Sequence, residues 1–78
     1  MRILEQRRGY FRGTHKGFTI EIERDRDHHA QAFYITVEAA EGGKIYDGWA
    51  PNDVRTIAEA KREVFYGCGW KPRPGAAT

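Results

Sequence analysis

Cysteine and long apolar runs are scarce in this chain of 78 residues, and each scarcity excludes a class of protein. The single cysteine, Cys68, cannot form a disulfide within the chain and cannot hold a zinc ion alone, which is typical of a reducing compartment. No window approaches the roughly 18 apolar residues of a membrane-spanning helix, and residues 1–8 lack the apolar stretch of a secretion signal. We therefore expect a cytoplasmic protein that does not enter a membrane.

The short length also limits how much core the chain can build. An apolar fraction of 40% is enough for a compact core, and 78 residues are too few for a second one, so we expect a single domain over residues 1–70. The tail at 71–78 has two prolines and no core residue, which predicts a flexible segment. A domain this small buries only about 60–65% of the surface of its unfolded chain. Pairing with a second copy, as a homodimer, or with another protein would supplement its stability.

Charge is unevenly distributed along the chain, although the net charge is only +2. Residues 1–17 carry five bases against one acid, a sum of +4; residues 18–53 carry three bases against eight acids, −5; residues 54–78 carry five bases against two acids, +3. A surface with separated charges can steer a cationic or an anionic partner, so the overall balance does not choose between them.

Two segments alternate between apolar and polar residues with the period of a β-strand. Residues 17–24 and 32–39 each place every second side chain on one face, and Glu41 followed by two glycines predicts a turn into a third strand at 44–49. The side chains predicted to lie beneath a covering helix are Phe18, Ile20, Ile22, Phe33, Ile35 and Val37. In the third strand we expect Ile45 and Trp49 to share this core face, which leaves Tyr46 on the opposite one.

A helix is predicted after the sheet. Thr56 followed by Glu59 is the reciprocal capping pattern of a helix start, and Gly67 is suited to the left-handed conformation that closes a helix. Between them, Ile57, Ala60, Val64 and Phe65 fall on one stripe at helical spacing.

The N-terminal segment is harder to interpret because its apolar pairs, at 3–4 and 10–11, show no lasting period. A short fourth strand and an irregular segment both remain open for residues 1–12, and residues 12–17 are predicted to turn into the first clear strand. The fold class is therefore α+β: a three- or four-stranded antiparallel sheet with one C-terminal helix packed on one face.

No residue set predicts catalysis, a cofactor or a metal site. Neighbouring His28 and His29 point to opposite faces of an extended chain and fit a solvated loop better than one shared metal ion. Cys68 has no positioned base near it in the chain and is expected to be a structural thiol. Glu21 and Glu23 would lie roughly 7 Å apart on one strand face, which fits surface charge on a sheet without a cleft. We expect that the protein is not an enzyme.

Two surfaces are candidate binding sites. The face opposite the helix is predicted to be acidic and rich in tyrosine, which suits a basic protein partner. Its candidate protein-binding residues are Glu21, Glu23, Tyr34, Glu38 and Tyr46. The alternative is a DNA- or RNA-binding domain that uses its basic N-terminal segment, where aromatic residues accompany the cations. The candidate nucleic-acid-binding residues are Arg7, Arg8, Arg12 and Lys16.

The runs at residues 10–13, 21–22, 46–49 and 56–60 resemble the three-strand-plus-helix DNA-binding domains of plant ethylene-response factors and of some phage integrases. That resemblance implies a sheet that enters the major groove with arginines and a tryptophan on its exposed face. This chain departs from the pattern in having Glu21, Glu23 and Glu38 there, where carboxylates repel phosphate.

The runs at residues 7–10, 46–49 and 56–61 resemble short uncharacterised reading frames of proteobacterial prophages. That resemblance implies a phage-derived accessory protein or inhibitor, a stoichiometric binder of host proteins that handle nucleic acid.

Overall fold

The computed structural model describes residues 1–25 and 32–72, which contain five strands and one helix. The elements are β1 (Arg2–Arg7), β2 (Tyr10–His15), β3 (Phe18–Arg24), β4 (Phe33–Ala39), β5 (Gly43–Trp49) and α1 (Ile57–Gly67). The strands form one antiparallel sheet in the order of the chain, so each strand pairs with its sequence neighbours. The α+β class and the C-terminal helix are confirmed, whereas the prediction of three or four strands is wrong.

The additional strands come from the N-terminal segment, where β1 and β2 form a hairpin. The pairing shifts register between Ile3 and Glu5, so that Leu4 is an extra residue in β1. A bulge of this kind interrupts the period-two pattern, which is why the sequence showed no strand there.

The predicted turn at residues 12–17 is shorter than expected. Residues 12–15 continue β2, and only Lys16 and Gly17 turn, both with positive φ (52° and 83°). Two successive residues with positive φ make the tight hairpin turn whose twist matches that of the flanking strands.

The core lies between the sheet and α1. The predicted face assignment of β3 and β4 is confirmed, because their apolar side chains are buried on the helix side or, for Phe18, packed against that core. The buried residues are Phe11, Ile20, Ile22, Phe33, Ile35, Val37, Ala50, Val54, Ala60 and Val64. The predicted helix stripe is confirmed too, with Ala60 and Val64 buried and Ile57 and Phe65 packed against the core.

The helix begins where the capping pattern predicted. Thr56 is extended, and its Oγ1 accepts a hydrogen bond from the backbone N–H of Glu59 at 3.1 Å. The Glu59 carboxylate reaches back one residue further than in the reciprocal pattern and accepts from the N–H of Arg55 at 2.7 Å. The first bond satisfies a backbone donor that the first helical turn leaves without a partner, and the second satisfies the N–H of the residue before the cap.

Gly67 is the last residue of α1 and not, as predicted, the left-handed residue that follows the helix, so the helix ends two residues later than expected. Gly69, not Gly67, has the left-handed conformation, with φ of 74°. The N–H of Trp70 then donates to the carbonyl of Phe65 at 2.9 Å, and that of Gly69 to the carbonyl of Tyr66 at 3.1 Å. These two bonds are the paired closure that a glycine after the helix allows.

The predicted faces of β5 are wrong. Ile45 and Trp49 are 49% and 43% exposed, whereas Tyr46 lies opposite Val37 and packs against the core. A Cβ at Gly67 would lie 2.7 Å from Cε2 of Tyr46, which shows how closely this ring approaches the helix. The β4–β5 pairing shifts register here, so Ile45 is an extra residue and the alternation reverses.

Some predictions fall outside the described residues. The loop histidines His28 and His29 and most of the predicted tail, residues 73–78, belong to this group. Among residues 1–25 and 32–72, no helix is long and apolar enough to cross a membrane.

Candidate functional site: the open face of the sheet

The sheet face opposite α1 consists of three rows of side chains, each crossing all five strands. Directly paired residues share a face, so the register of the four strand pairs defines these rows. The first row is Arg7, Tyr10, Glu23, Tyr34 and Trp49. The second row is Glu5, Arg12, Glu21, Thr36 and Asp47. The third row is Arg2, Thr14, Thr19, Glu38 and Lys44. We call these fifteen side chains the open face.

Charge on the open face divides between two groups of strands. The β1–β2 part holds three bases (Arg2, Arg7, Arg12) against Glu5, a sum of +2. The β3–β5 part holds four acids (Glu21, Glu23, Glu38, Asp47) against Lys44, a sum of −3. We refer to them as the basic half and the acidic half. The separation along the chain thus becomes a separation across one surface, which can orient a charged partner.

Tyr10 lies at the boundary between the halves and contacts both. Its hydroxyl donates a hydrogen bond to Oε2 of Glu21 at 2.7 Å, and the guanidinium of Arg7 lies 4.3 Å from its ring centroid. The carboxylate acceptor raises the pKa of the Tyr10 hydroxyl, because it favours the protonated phenol. Arg7 also pairs with Glu5 on its own strand. The guanidinium of Arg7 is therefore already engaged by neighbouring groups.

An aromatic pair stands on the acidic half. The rings of Tyr34 and Trp49 meet edge to face, with centroids 4.9 Å apart and planes at 87°. The Tyr34 hydroxyl donates to the carboxylate of Asp47, which raises the pKa of that hydroxyl. Lys44 lies 3.9 Å from the same carboxylate. These contacts hold Tyr34 in one orientation on the surface.

Two acids of this half have no such contacts. Within the described residues, the side chains of Glu23 and Glu38 are exposed and take part in no hydrogen bond or ion pair. Glu38 borders a shallow depression of about 190 Å³, together with Arg12, Thr19, Glu21 and Thr36. Glu23 stands between Tyr10 and Tyr34 in the first row. An incoming cation therefore meets carboxylates that have no cation of their own.

The structure brings together four of the five predicted protein-binding residues. Glu21, Glu23, Tyr34 and Glu38 share the open face, but Tyr46 lies on the helix side and leaves the set. Sequence reasoning missed Tyr10, Asp47 and Trp49 on this face. Asp47 and Trp49 are two residues apart in the chain and therefore share one face of a strand, which is a signal that the sequence offers. Gly48 between them has no side chain that would mark the opposite face as the core face.

The predicted nucleic-acid-binding residues separate into three places. Arg7 and Arg12 lie on the basic half, whereas Arg8 is in the β1–β2 turn and Lys16 in the β2–β3 turn, at opposite ends of β2. A depression of about 520 Å³ at one end of the sheet is lined by Arg7, Arg8, Gly9, Tyr10, Glu23, Arg24 and Asp25. The guanidinium of Arg24 lies on the helix side of β3, 5.0 Å from the Phe33 ring centroid, and donates to the carbonyl of Arg55 at 3.3 Å. The guanidinium groups of Arg7 and Arg24 therefore lie on opposite sides of the sheet.

The reactive side chains of the described residues do not converge on one point. Burial raises the pKa of the Cys68 thiol, which packs against the core. Burial also lowers the pKa of His15, whose ring lies 4.7 Å from that of Phe65 and 4.8 Å from that of Trp70. Among residues 1–25 and 32–72, no group of three or more His, Cys, Asp or Glu side chains stands close enough to hold a metal ion.

The chain was compared with protein-family models, curated proteins and solved structures, and none of the three comparisons gave a match. The resemblances to DNA-binding domains and to prophage reading frames therefore stay predictions.

Proposed function

We propose that the protein is a non-catalytic binding module whose open face docks on a basic surface of another protein. The observation that carries this proposal is the acidic half: four carboxylates on β3–β5 against one lysine, with Glu23 and Glu38 unpaired among the described residues. A carboxylate without a cation from its own chain is stabilised more by a partner's arginine or lysine than a carboxylate that is already in an ion pair.

The first row supports the same proposal. Tyr10 and Tyr34 flank Glu23, and Trp49 stands beside Tyr34. Aromatic side chains give a large contact area with few rotatable bonds, and their ring faces attract cations. The Arg7 guanidinium over the Tyr10 ring is an internal example of that attraction. A basic side chain entering between the two tyrosines would meet one carboxylate and two aromatic rings.

The partner that we propose is a protein that handles nucleic acid. Such proteins present arginine and lysine clusters that fit phosphate, and an acidic surface can occupy those clusters. A role as a small stoichiometric inhibitor, like that implied by the resemblance to prophage reading frames, follows from this fit. It requires no reaction at the open face.

A defined basic probe tests the proposal. The probe is a labelled peptide of alternating arginine and glycine, with binding measured by fluorescence anisotropy at low salt. The variant Glu23→Lys with Glu38→Lys changes the open face, and the matched control Glu41→Lys with Asp53→Lys makes the same charge change at two exposed positions outside it. We expect the first pair to weaken binding about tenfold or more, since each reversed surface pair is worth on the order of 1 kcal/mol. Equal losses of peptide affinity in both double variants would show that binding depends on net charge alone, which would contradict a binding site on the open face.

A nucleic-acid-binding domain is the second candidate, and the depression that Arg7 and Arg8 border favours it. In that case duplex DNA or single-stranded RNA should bind, with affinity falling steeply between about 50 and 200 mM salt. The Glu23→Lys and Glu38→Lys variant then distinguishes the two functions by sign. Loss of two carboxylates near the phosphates would strengthen nucleic-acid binding, whereas it weakens binding of the basic peptide.

A further inference from the structure

Strand β1 is an edge of the sheet with exposed apolar side chains. It pairs with β2 on one side only, so its other side presents backbone N–H and C=O groups without a strand partner among the described residues. Ile3 is 53% exposed and Leu4 47%. An exposed edge that carries apolar residues is a template for pairing with another strand.

The helix leaves this edge uncovered for a geometrical reason. α1 packs over β3 and β4 in the middle of the sheet. Five strands at about 4.8 Å spacing place the outer strands roughly 19 Å apart, whereas a helix with its side chains is only about 10 Å wide. Ile3 lies opposite Gly13 on the helix side of β1, and its 53% exposure shows that α1 does not cover it. A second strand beside β1 would reduce that exposure.

The other edge, β5, is better protected. Its exposed Trp49 packs edge to face on Tyr34, and its Lys44 lies near Asp47 of the same strand. Gly43 and Gly48 also weaken a strand as a pairing surface, because they offer no side chain to pack. On β1, by contrast, Arg2 has no ion pair within the described residues.

We propose that two copies of this chain pair through β1, antiparallel and about a two-fold axis at the Ile3–Leu4 bulge, to form one continuous ten-stranded sheet. In this register Ile3 and Leu4 of the two copies meet at the axis. Arg2 of each copy lies opposite Glu5 of the other, so that Glu5, which already pairs with Arg7 on its own strand, has a second cation beside it on each side of the axis.

Neighbouring registers fit less well. An axis at Glu5 would place two carboxylates opposite each other, which is destabilising. An axis at Gln6 would pair Glu5 with Arg7 but leave the apolar bulge facing Arg8. Only the register centred on Ile3 and Leu4 matches both the charges and the apolar groups.

The molar mass in solution tests whether two copies associate through β1. Sedimentation equilibrium over a wide range of protein concentration should show a dimer for the unmodified chain and for the control Ile45→Lys, which places the same charge on the opposite edge. Leu4→Lys should raise the dimer dissociation constant about tenfold or more, because it brings two like charges to the axis. A monomer at every concentration, or a dimer that Ile45→Lys abolishes and Leu4→Lys preserves, would overturn the proposal.

Charge exchange tests the register. Arg2→Glu and Glu5→Arg should each weaken the homodimer, since each creates two like-charged pairs. Mixing the two single variants should restore pairing as a heterodimer, because every pair is then complementary again. Failure of the mixture to associate would exclude this register, and the result does not depend on whether the open face binds a basic protein.

Discussion

Tyr10 and Phe11 are adjacent in the chain and have opposite roles in the structure. Phe11 is fully buried beneath the helix, and Tyr10 stands on the open face with its hydroxyl bonded to Glu21. The Nζ of Lys61 lies 4.6 Å from the Phe11 ring centroid, so the ring also supports a side chain of α1. The N-terminal hairpin is thus part of the core through Phe11.

Replacing these two neighbours should have very different effects on stability. Phe11→Ala is expected to lower the free energy of unfolding by about 3–5 kcal/mol, because it leaves a cavity in the core. Tyr10→Ala, the matched control, should cost about 1 kcal/mol or less, since it removes one exposed hydrogen bond. Urea denaturation followed by circular dichroism measures both values. Similar losses for the two variants would contradict the assignment of faces in β2.

At the scale of elements, the C-terminal end of α1 packs against the β2–β3 hairpin through aromatic contacts. His15, the last residue of β2, lies between Phe65 of α1 and Trp70 just after it. Phe18 of β3 joins this cluster, with its ring centroid 5.6 Å from that of Trp70. The glycine closure of the helix at Gly69 turns the chain so that Trp70 can reach the sheet.

This contact should make stability depend on pH. Burial lowers the pKa of His15 below its ordinary value of about 6.5, so the folded state favours the neutral ring. The contribution is fully present above pH 6.5 and is lost as the pH falls from there through the folded-state pKa, because the unfolded chain binds the proton first. We expect the urea midpoint to fall between pH 7.5 and 5.5. His15→Phe, which keeps an aromatic ring but cannot titrate, should fall less over that range, and an equal decline would remove His15 as the cause.

At the scale of the whole molecule, the described residues share one core. The buried side chains of β2, β3, β4 and α1 belong to a single cluster, and the principal extents of 34, 31 and 19 Å are those of a sheet with one covering layer. The other face of that sheet is left to solvent. This architecture concentrates stability on one side of the molecule and the polar contacts of the candidate site on the other.

A single core predicts a single unfolding transition. Trp49 reports on the open face of β5, and Trp70 reports on the end of the helix. In the variants Trp49→Phe and Trp70→Phe, the fluorescence of the remaining tryptophan should lose its folded signal at the same denaturant concentration as the circular dichroism of that variant. Separate midpoints within either variant would show that helix and sheet unfold independently.

Local patterns predicted the middle of the fold well. Period-two alternation located β3 and β4 and their buried faces, and a hydroxyl followed by a carboxylate located the start of α1, because these signals depend on neighbouring residues alone. The same reasoning identified Glu21, Glu23, Tyr34 and Glu38 as members of one face. It failed at β1 and β5, where an extra residue reverses the alternation and the local pattern no longer tells inside from outside.

The amino-acid sequence by itself determined the α+β class, the helix start and the face assignment of the two central strands. Only the tertiary structure decided that the basic N-terminal segment joins the sheet, that Trp49 and Asp47 replace Tyr46 on the open face, and that Ile3 and Leu4 of β1 stay about half exposed. The physical reason is that pairing register and bulges are settled between strands: which residue lies opposite which depends on hydrogen bonds and packing across the sheet. The basic and acidic segments of the chain form the two halves of the open face only because the strands pair in that register.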